Sequence, residues 1–291
     1  MKDTARLAAY FAATILIGAL IAPPLFWFGQ WVSANGWLPF LAKFDFETFF
    51  HRSLIIAAVA LFWPFLYFSN VRNLADLSLA PNQRWIRDLA TGFLVATIPL
   101  LCCGALLVAL HVSQMRHVFQ WPAFGRTVLA SITVPFIEEA LFRGLILGLL
   151  LRSGRTYLSI LATSALFAVV HFLKAPAGTS IIVTWTSGFN SIAHSFAQFA
   201  DPMFVLAAFT TLFLIGWILA DARVRTRSLW LPIGLHSGWI FANGAFNAMA
   251  RREVLALPWL GKNLLVGIVP LGVGALTWLL IIFLYERTRE N

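Results

Sequence analysis

Three ionisable side chains lie within an apolar run of this sequence, VPFIEEALFRGLIL at 134–147: Glu138, Glu139 and Arg143. A charged side chain at the centre of a bilayer costs about 2.5–3.5 kcal/mol on insertion scales, so such groups persist where they pair or line a polar cavity. Glu139 and Arg143 are four residues apart on one helical face, which predicts an intrahelical ion pair. Glu138 points about 100° away. We expect this second carboxylate to face other partners and to be available as a general base on water.

Two histidines on other apolar runs could complete a site with Glu138. His171 lies in LFAVVHFL, and His236 lies in LPIGLHSGWIFANGAF, where Asn243 follows seven residues later on the same helical face. A carboxylate and an imidazole from neighbouring helices could hold one water between them. A second imidazole and an amide could then stabilise the oxyanion that forms when this water attacks a carbonyl. This is the chemistry of peptide-bond hydrolysis without a covalent intermediate.

The charged residues are also compatible with transport. An intramembrane Glu-Glu-Arg group can serve as an element of an ion pathway, so a proton-coupled transporter or channel is the main alternative to a hydrolase. From the residues alone, both functions stay open.

The composition indicates which elements must position these residues. Of the 291 residues, 60% are hydrophobic and 11% are charged, whereas about 25% are charged in a typical soluble domain. Apolar runs of about 20 residues, the length of a helix that crosses a bilayer, recur along the chain. We therefore predict an all-α polytopic integral membrane protein with about eight transmembrane helices in a single domain, residues 1–291. The predicted spans are roughly 6–28, 53–69, 89–112, 127–151, 156–173, 202–220, 228–249 and 264–285.

The net charge of +9 comes from basic residues in the predicted loops, where they anchor helices and set topology, and it does not indicate binding to nucleic acid. An even number of spans places both termini on one side of the membrane. That side holds twelve Lys and Arg residues and the other side holds eight. This bias predicts cytoplasmic termini.

The segment 174–201 is unusual for a loop because it is uncharged between Lys174 and Asp201 and rich in aromatic residues. It is interpreted either as an interfacial helix in the headgroup region or as a lid that covers a buried site.

The three groups of candidate residues resemble the motifs of a known family. EEALFR at 138–143, FAVVH at 167–171 and the His236 segment are similar, in order and on separate spans, to the EExxxR, FxxxH and HxxxN motifs of the CAAX-protease and bacteriocin-processing family. Its members, also called type II CAAX prenyl endopeptidases or Abi proteins, are intramembrane glutamic proteases. The resemblance covers about 128–247, the expected catalytic core.

This resemblance implies a role for each candidate residue. Glu138 and His171 match the pair that activates the attacking water, Glu139 and Arg143 match the supporting positions, and His236 matches the oxyanion-stabilising histidine. Ile240 stands where the family motif has Asn, which leaves Asn243 as its possible substitute.

The resemblance further implies a substrate and a location. We expect a hydrophobic or lipidated peptide or protein substrate, for example a prenylated one, and contact with membrane lipid. The expected location is the inner membrane of a prokaryotic cell. Because Ile240 departs from the motif, a non-catalytic immunity or scaffold protein of the same fold is a further alternative.

A metal-dependent variant of this chemistry is also considered. Glu138, His171 and His236 could supply one carboxylate and two imidazoles to zinc. The sequence lacks the H-E-x-x-H pattern of zincin proteases, and we expect a mechanism without a cofactor.

Overall fold

The computed structural model describes residues 2–172, 175–252, 256–261 and 263–286, and these residues are mostly helical. The α-helices are α1 Lys2–Ala34, α2 Phe46–Phe68, α3 Trp85–Ala109, α4 Trp121–Glu139, α5 Leu147–Leu151, α6 Thr156–Phe172, α7 Ser187–Ser195, α8 Pro202–Phe204, α9 Thr210–Thr226, α10 Trp230–Met249 and α11 Ile268–Glu286. Shorter 3₁₀ helices cover Pro39–Lys43 and Phe196–Ala200, and π-helical turns cover Ala140–Ile146 and Val205–Phe209. Two three-residue strands, β1 Ser113–Met115 and β2 Ala250–Arg252, pair antiparallel with Ser113 opposite Arg252.

The predicted fold class, an all-α polytopic membrane protein, is confirmed. Each predicted span falls on helical structure, and the span 127–151 corresponds to the continuous helix formed by α4, the π turn and α5. Leu173, at the end of the predicted fifth span, lies outside the described residues. By length and apolar composition, five of the described helices could cross a membrane: Ala5–Ala34, Phe46–Phe68, Trp85–Ala109, Pro202–Thr226 and Ile268–Tyr285. The number of eight spans therefore stays a prediction.

The contacts divide the chain into two compact units, and the single domain of residues 1–291 stays a prediction. One unit contains 1–72 and 173–201, and the other contains 73–172 and 202–291. The first unit is discontinuous in sequence, so the division leaves no linker that composition could reveal. All six candidate site residues belong to the second unit.

The first unit is built on α1 and α2, with α7 packed against α1. Gly188 of α7 lies so close to α1 that a Cβ atom at this position would overlap the backbone of Ala19. Glu47 is buried and accepts hydrogen bonds from the backbone N–H groups of Gly178 and Ser180, at 3.2 and 2.9 Å. The segment 175–200 is thus tied to α1 and α2, while its depth in the membrane stays a prediction.

In the second unit, the most extensive helix contact joins α3 to α10 through glycines. A Cβ atom on Gly234 would overlap the carbonyl oxygen of Leu89, and one on Gly238 would lie 2.5 Å from that of Phe93. Gly92 of α3 is equally close to the backbone of α10. Small residues four apart allow two apolar helices to approach at backbone distance. This close approach fixes the position of α10, which carries His236.

The helix that carries the charged residues is irregular where they lie. Pro135 lies inside α4 and lacks the N–H that would donate to the carbonyl of residue 131. Directly after Glu139, the helix widens into the π turn Ala140–Ile146, which contains Arg143. Single π turns inside α-helices occur frequently at functional sites because they change the direction of the side chains that follow.

The α3–α10 contact can be tested with two glycine substitutions. Gly234→Val should destabilise the protein by about 1–3 kcal/mol or more, because the added side chain forces two backbones apart. Gly148→Ala is the matched control: nothing lies within 4 Å of its Cβ position, so we expect no loss. The stability of both variants is measured by thermal unfolding of the purified proteins in detergent. Equal stability of the two variants would contradict the close contact between α3 and α10.

Candidate active site

Glu139 and Arg143 form an ion pair that is completely buried. The Nη1 atom of Arg143 donates to Oε1 of Glu139 at 3.0 Å, and both side chains have 0% relative exposure. The four-residue spacing on one helix produces this contact, as the sequence predicts.

Arg143 also joins three segments of the second unit. Its Nη2 atom donates to the carbonyl oxygen of Gly216 on α9, at 3.2 Å. Its guanidinium lies over the ring of Phe167 on α6, with 4.3 Å between the guanidinium carbon and the ring centroid. A buried cation requires such partners because its transfer out of water is otherwise prohibitive. Arg143 thereby links the π turn to α6 and α9.

Glu138 lies against His171. Its Oε2 atom is 3.1 Å from Nε2 of His171, and the two side chains are 26% and 28% exposed. The other ring nitrogen, Nδ1, lies 2.9 Å from the carbonyl oxygen of Phe167. A carbonyl only accepts, so Nδ1 carries a hydrogen. The Glu138–His171 contact is then a hydrogen bond only when one further proton is shared between the carboxylate and Nε2, which makes the two residues an acid–base pair.

The direct contact differs from the expected arrangement, in which one water lies between Glu138 and His171. At 3.1 Å the two atoms are at hydrogen-bond distance, so no water fits between them. Both side chains are partly exposed, so the pair is not sealed inside the protein.

His236 is oriented by the buried carboxylate of Glu139. Its Nδ1 atom lies 2.8 Å from Oε1 of Glu139, the oxygen that also accepts from Arg143. An ionised carboxylate only accepts, so Nδ1 carries the hydrogen. The second nitrogen, Nε2, faces Oε2 of Glu138 at 3.8 Å, which is too long for a hydrogen bond. The two adjacent glutamates therefore have different partners. Glu139 holds the imidazole of His236 in place, and Glu138 faces the imidazoles of both His171 and His236.

Aromatic rings surround this cluster. Phe167 is buried, and its ring centroid is 4.1 Å from that of His171 and 6.2 Å from that of His236. Phe142, also buried, packs edge-on against Phe167 at 5.1 Å. The sequence places Phe167 on the face of His171 but does not identify its contact with Arg143, since that contact depends on how two helices pack.

Asn243 has a different environment from the other candidates. Its side-chain oxygen accepts a hydrogen bond at 3.0 Å from the backbone N–H of Leu264, in the segment before α11. Seven residues of α-helix also separate it from His236 by about 10.5 Å along the axis. The structure thus brings five of the six candidates together and places Asn243 in a contact that ties α10 to a loop.

Among the described residues, no group of three or more His, Cys, Asp or Glu side chains is arranged to hold a metal ion. One Glu139 oxygen is shared by Arg143 and His236, and Glu138 is in direct contact with His171.

Comparison with known proteins identifies the segment that carries this cluster. Residues 119–242 match the family described as Rce1-like, type II CAAX prenyl endopeptidase Rce1-like. The resemblance predicted from the three motifs is confirmed over this segment, which contains Glu138, Glu139, Arg143, His171 and His236. Searches of curated proteins and of solved structures gave no match.

The fold and the site together define a class of protein. The chain is a polytopic helical membrane protein with a CAAX-endopeptidase-like segment. The family match supports a protease, and the matched segment positions two carboxylates and two imidazoles around one point.

The ion pair can be tested by a double-mutant cycle. Arg143→Met should destabilise the protein by about 3–5 kcal/mol, because it leaves the Glu139 carboxylate buried without its cation. Adding Glu139→Gln to that variant removes the uncompensated charge, so the double variant should lose less stability than the sum of the two single variants. The free energy of unfolding in detergent is measured for the wild type, the two single variants and the double variant. Arg155→Met, at an exposed position, is the control, and additive losses would show that the two buried groups are not coupled.

Proposed function

We propose that this protein is an intramembrane endopeptidase that hydrolyses a peptide bond by means of a water activated by Glu138 and His171. The observation that carries the proposal is the direct Glu138–His171 contact beside the imidazole of His236, within the segment matched by the protease family.

The roles of the residues follow from their hydrogen bonds. With the shared proton on His171, the carboxylate of Glu138 is available to accept a proton from water as its oxygen attacks the peptide carbonyl. The C–O bond forms, and the carbonyl oxygen becomes an oxyanion. When this intermediate collapses, the C–N bond breaks and the Glu138–His171 pair returns a proton to the leaving amine.

His236 is the proposed donor to the oxyanion. Since Nδ1 donates to Glu139, Nε2 can donate to the oxyanion in the imidazolium form, in which both ring nitrogens carry a hydrogen. Glu139 thus has a positioning and electrostatic role, and Arg143 compensates its charge in the membrane interior. Ile240 supplies no second donor at the position where the family motif has Asn.

The proposed substrate is a hydrophobic or lipidated peptide, for example a prenylated one, that reaches the site from the surrounding lipid. The apolar surroundings of the cluster, including Phe142 and Phe167, support this class. The proposed location is the inner membrane of a prokaryotic cell with cytoplasmic termini, an orientation supported by the bias of twelve basic residues to eight.

Removal of the acid–base pair should abolish cleavage. We expect Glu138→Gln and His171→Ala each to lower kcat by about 10²–10⁴-fold, the range for loss of a general acid–base group. The assay uses purified protein in liposomes with a farnesylated peptide that ends in a CAAX sequence and its unprenylated counterpart. His194→Ala removes an exposed histidine on α7 and serves as the control. Cleavage by either site variant at the wild-type rate would refute the mechanism. Equal cleavage of the farnesylated and unprenylated peptides would contradict only the dependence on a prenyl group.

The metal-free mechanism makes a separate prediction. Because Glu138 is proposed to act directly on water, incubation with EDTA followed by removal of the chelator should leave the cleavage rate unchanged. Loss of activity that zinc restores would establish the alternative in which Glu138, His171 and His236 hold the metal.

A further inference from the structure

A polar cavity of about 390 Å³ lies in the second unit. Its lining includes Arg84 and Asp88 at the start of α3, Arg225 and Thr226 at the end of α9, and Tyr285 at the end of α11. All three helices belong to the candidate membrane spans, and these residues lie at span ends. The ends of membrane spans lie at the depth of lipid headgroups, where polar and basic residues flank the apolar segments.

The charged side chains that line this cavity are two guanidinium groups, of Arg84 and Arg225, and one carboxylate, of Asp88. Arg84 is exposed, and no partner for its guanidinium is found among the described residues. This excess of positive charge favours an anionic ligand.

The two carboxylates near the cavity already have donors. Asp88 accepts a hydrogen bond from the hydroxyl of Tyr285 at 2.8 Å and lies 3.9 Å from a guanidinium nitrogen of Arg87. Asp221 accepts from Nε of Arg225 at 2.6 Å and from the indole N–H of Trp278 at 2.8 Å. The contact with Asp221 fixes the stem of Arg225 and so reduces the entropy that ligand binding would otherwise cost.

We propose that this cavity binds the phosphate of an anionic phospholipid headgroup. Guanidinium groups match phosphate oxygens in geometry and charge, and basic pockets between transmembrane helices bind anionic headgroups. The volume lies within the range of small-ligand sites, about 300–1,000 Å³. A lipid is favoured over a soluble anion because the cavity lies at the ends of three apolar helices, where a headgroup can enter while its acyl chains contact the helix surfaces.

The test uses the delipidated full-length protein in detergent and measures dissociation constants by native mass spectrometry. The probes are phosphatidylglycerol, phosphatidylcholine and inorganic phosphate. The main variant is Arg84→Gln, which changes an exposed side chain outside the packed core, and Arg84→Glu is a stronger second variant. Arg155→Gln is the matched control, because it removes one exposed Arg that does not line the cavity.

The expected result is preferential binding of phosphatidylglycerol that Arg84→Gln weakens about fivefold, as for loss of one basic residue at a membrane surface, and Arg84→Glu weakens further. Arg155→Gln should bind like the wild type. Equal binding of both lipids, an equal effect of Arg84→Gln and Arg155→Gln, or inorganic phosphate binding as tightly as phosphatidylglycerol would each overturn the proposal. None of these results depends on proteolytic activity, so failure of the lipid-binding proposal would not contradict the proposed protease function.

Discussion

The fully buried guanidinium of Arg143 is the constraint on which the arrangement of the second unit depends. Its charge has to be compensated inside an apolar bundle. Glu139 supplies the charge, Gly216 of α9 supplies a carbonyl oxygen, and Phe167 of α6 supplies a ring face. These partners belong to separate segments, so the helices must pack in one particular way to keep the cation stable.

The glycines of the bundle make those contacts possible. Gly216 faces Ser164 of α6 so closely that a Cβ atom would lie 3.0 Å from the Cα atom of that serine. The Gly216 carbonyl that accepts from Arg143 is thereby kept near α6, whose Phe167 ring covers the same guanidinium. On the other side of the unit, Gly234 and Gly238 hold α10 against α3. With α10 fixed in this way, His236 reaches Glu139 at 2.8 Å, and the same carboxylate connects the ion pair to the imidazole.

The sequence predicts the helices and most of the site for clear physical reasons. Apolar length alone identifies every long helix, and the i, i+4 spacing identifies the Glu139–Arg143 pair. The sequence does not reveal the π turn, because no residue type is specific for one. It also does not reveal the contacts of Arg143 with other helices. Asn243 shares a helical face with His236, but a face extends along the whole helix, and two turns of rise place the amide beside Leu264 instead. The division into two units follows from contacts between distant segments, which no local pattern encodes.

Buried ion pairs seldom stabilise a protein more than apolar residues of the same volume would, so the Glu139–Arg143 pair requires another explanation. Glu139 is at once the partner of Arg143 and the acceptor for Nδ1 of His236. A neutral apolar substitute could fill the space, but it could not accept the hydrogen bond that orients the imidazole. Arg143, in turn, is the ion-pair partner of Glu139, whereas Glu138 faces His171. The adjacent glutamates of the EEALFR segment are therefore explained by one division of roles: a helix rotates consecutive side chains by about 100°, which buries one carboxylate as the anchor of a histidine and leaves the other accessible to water.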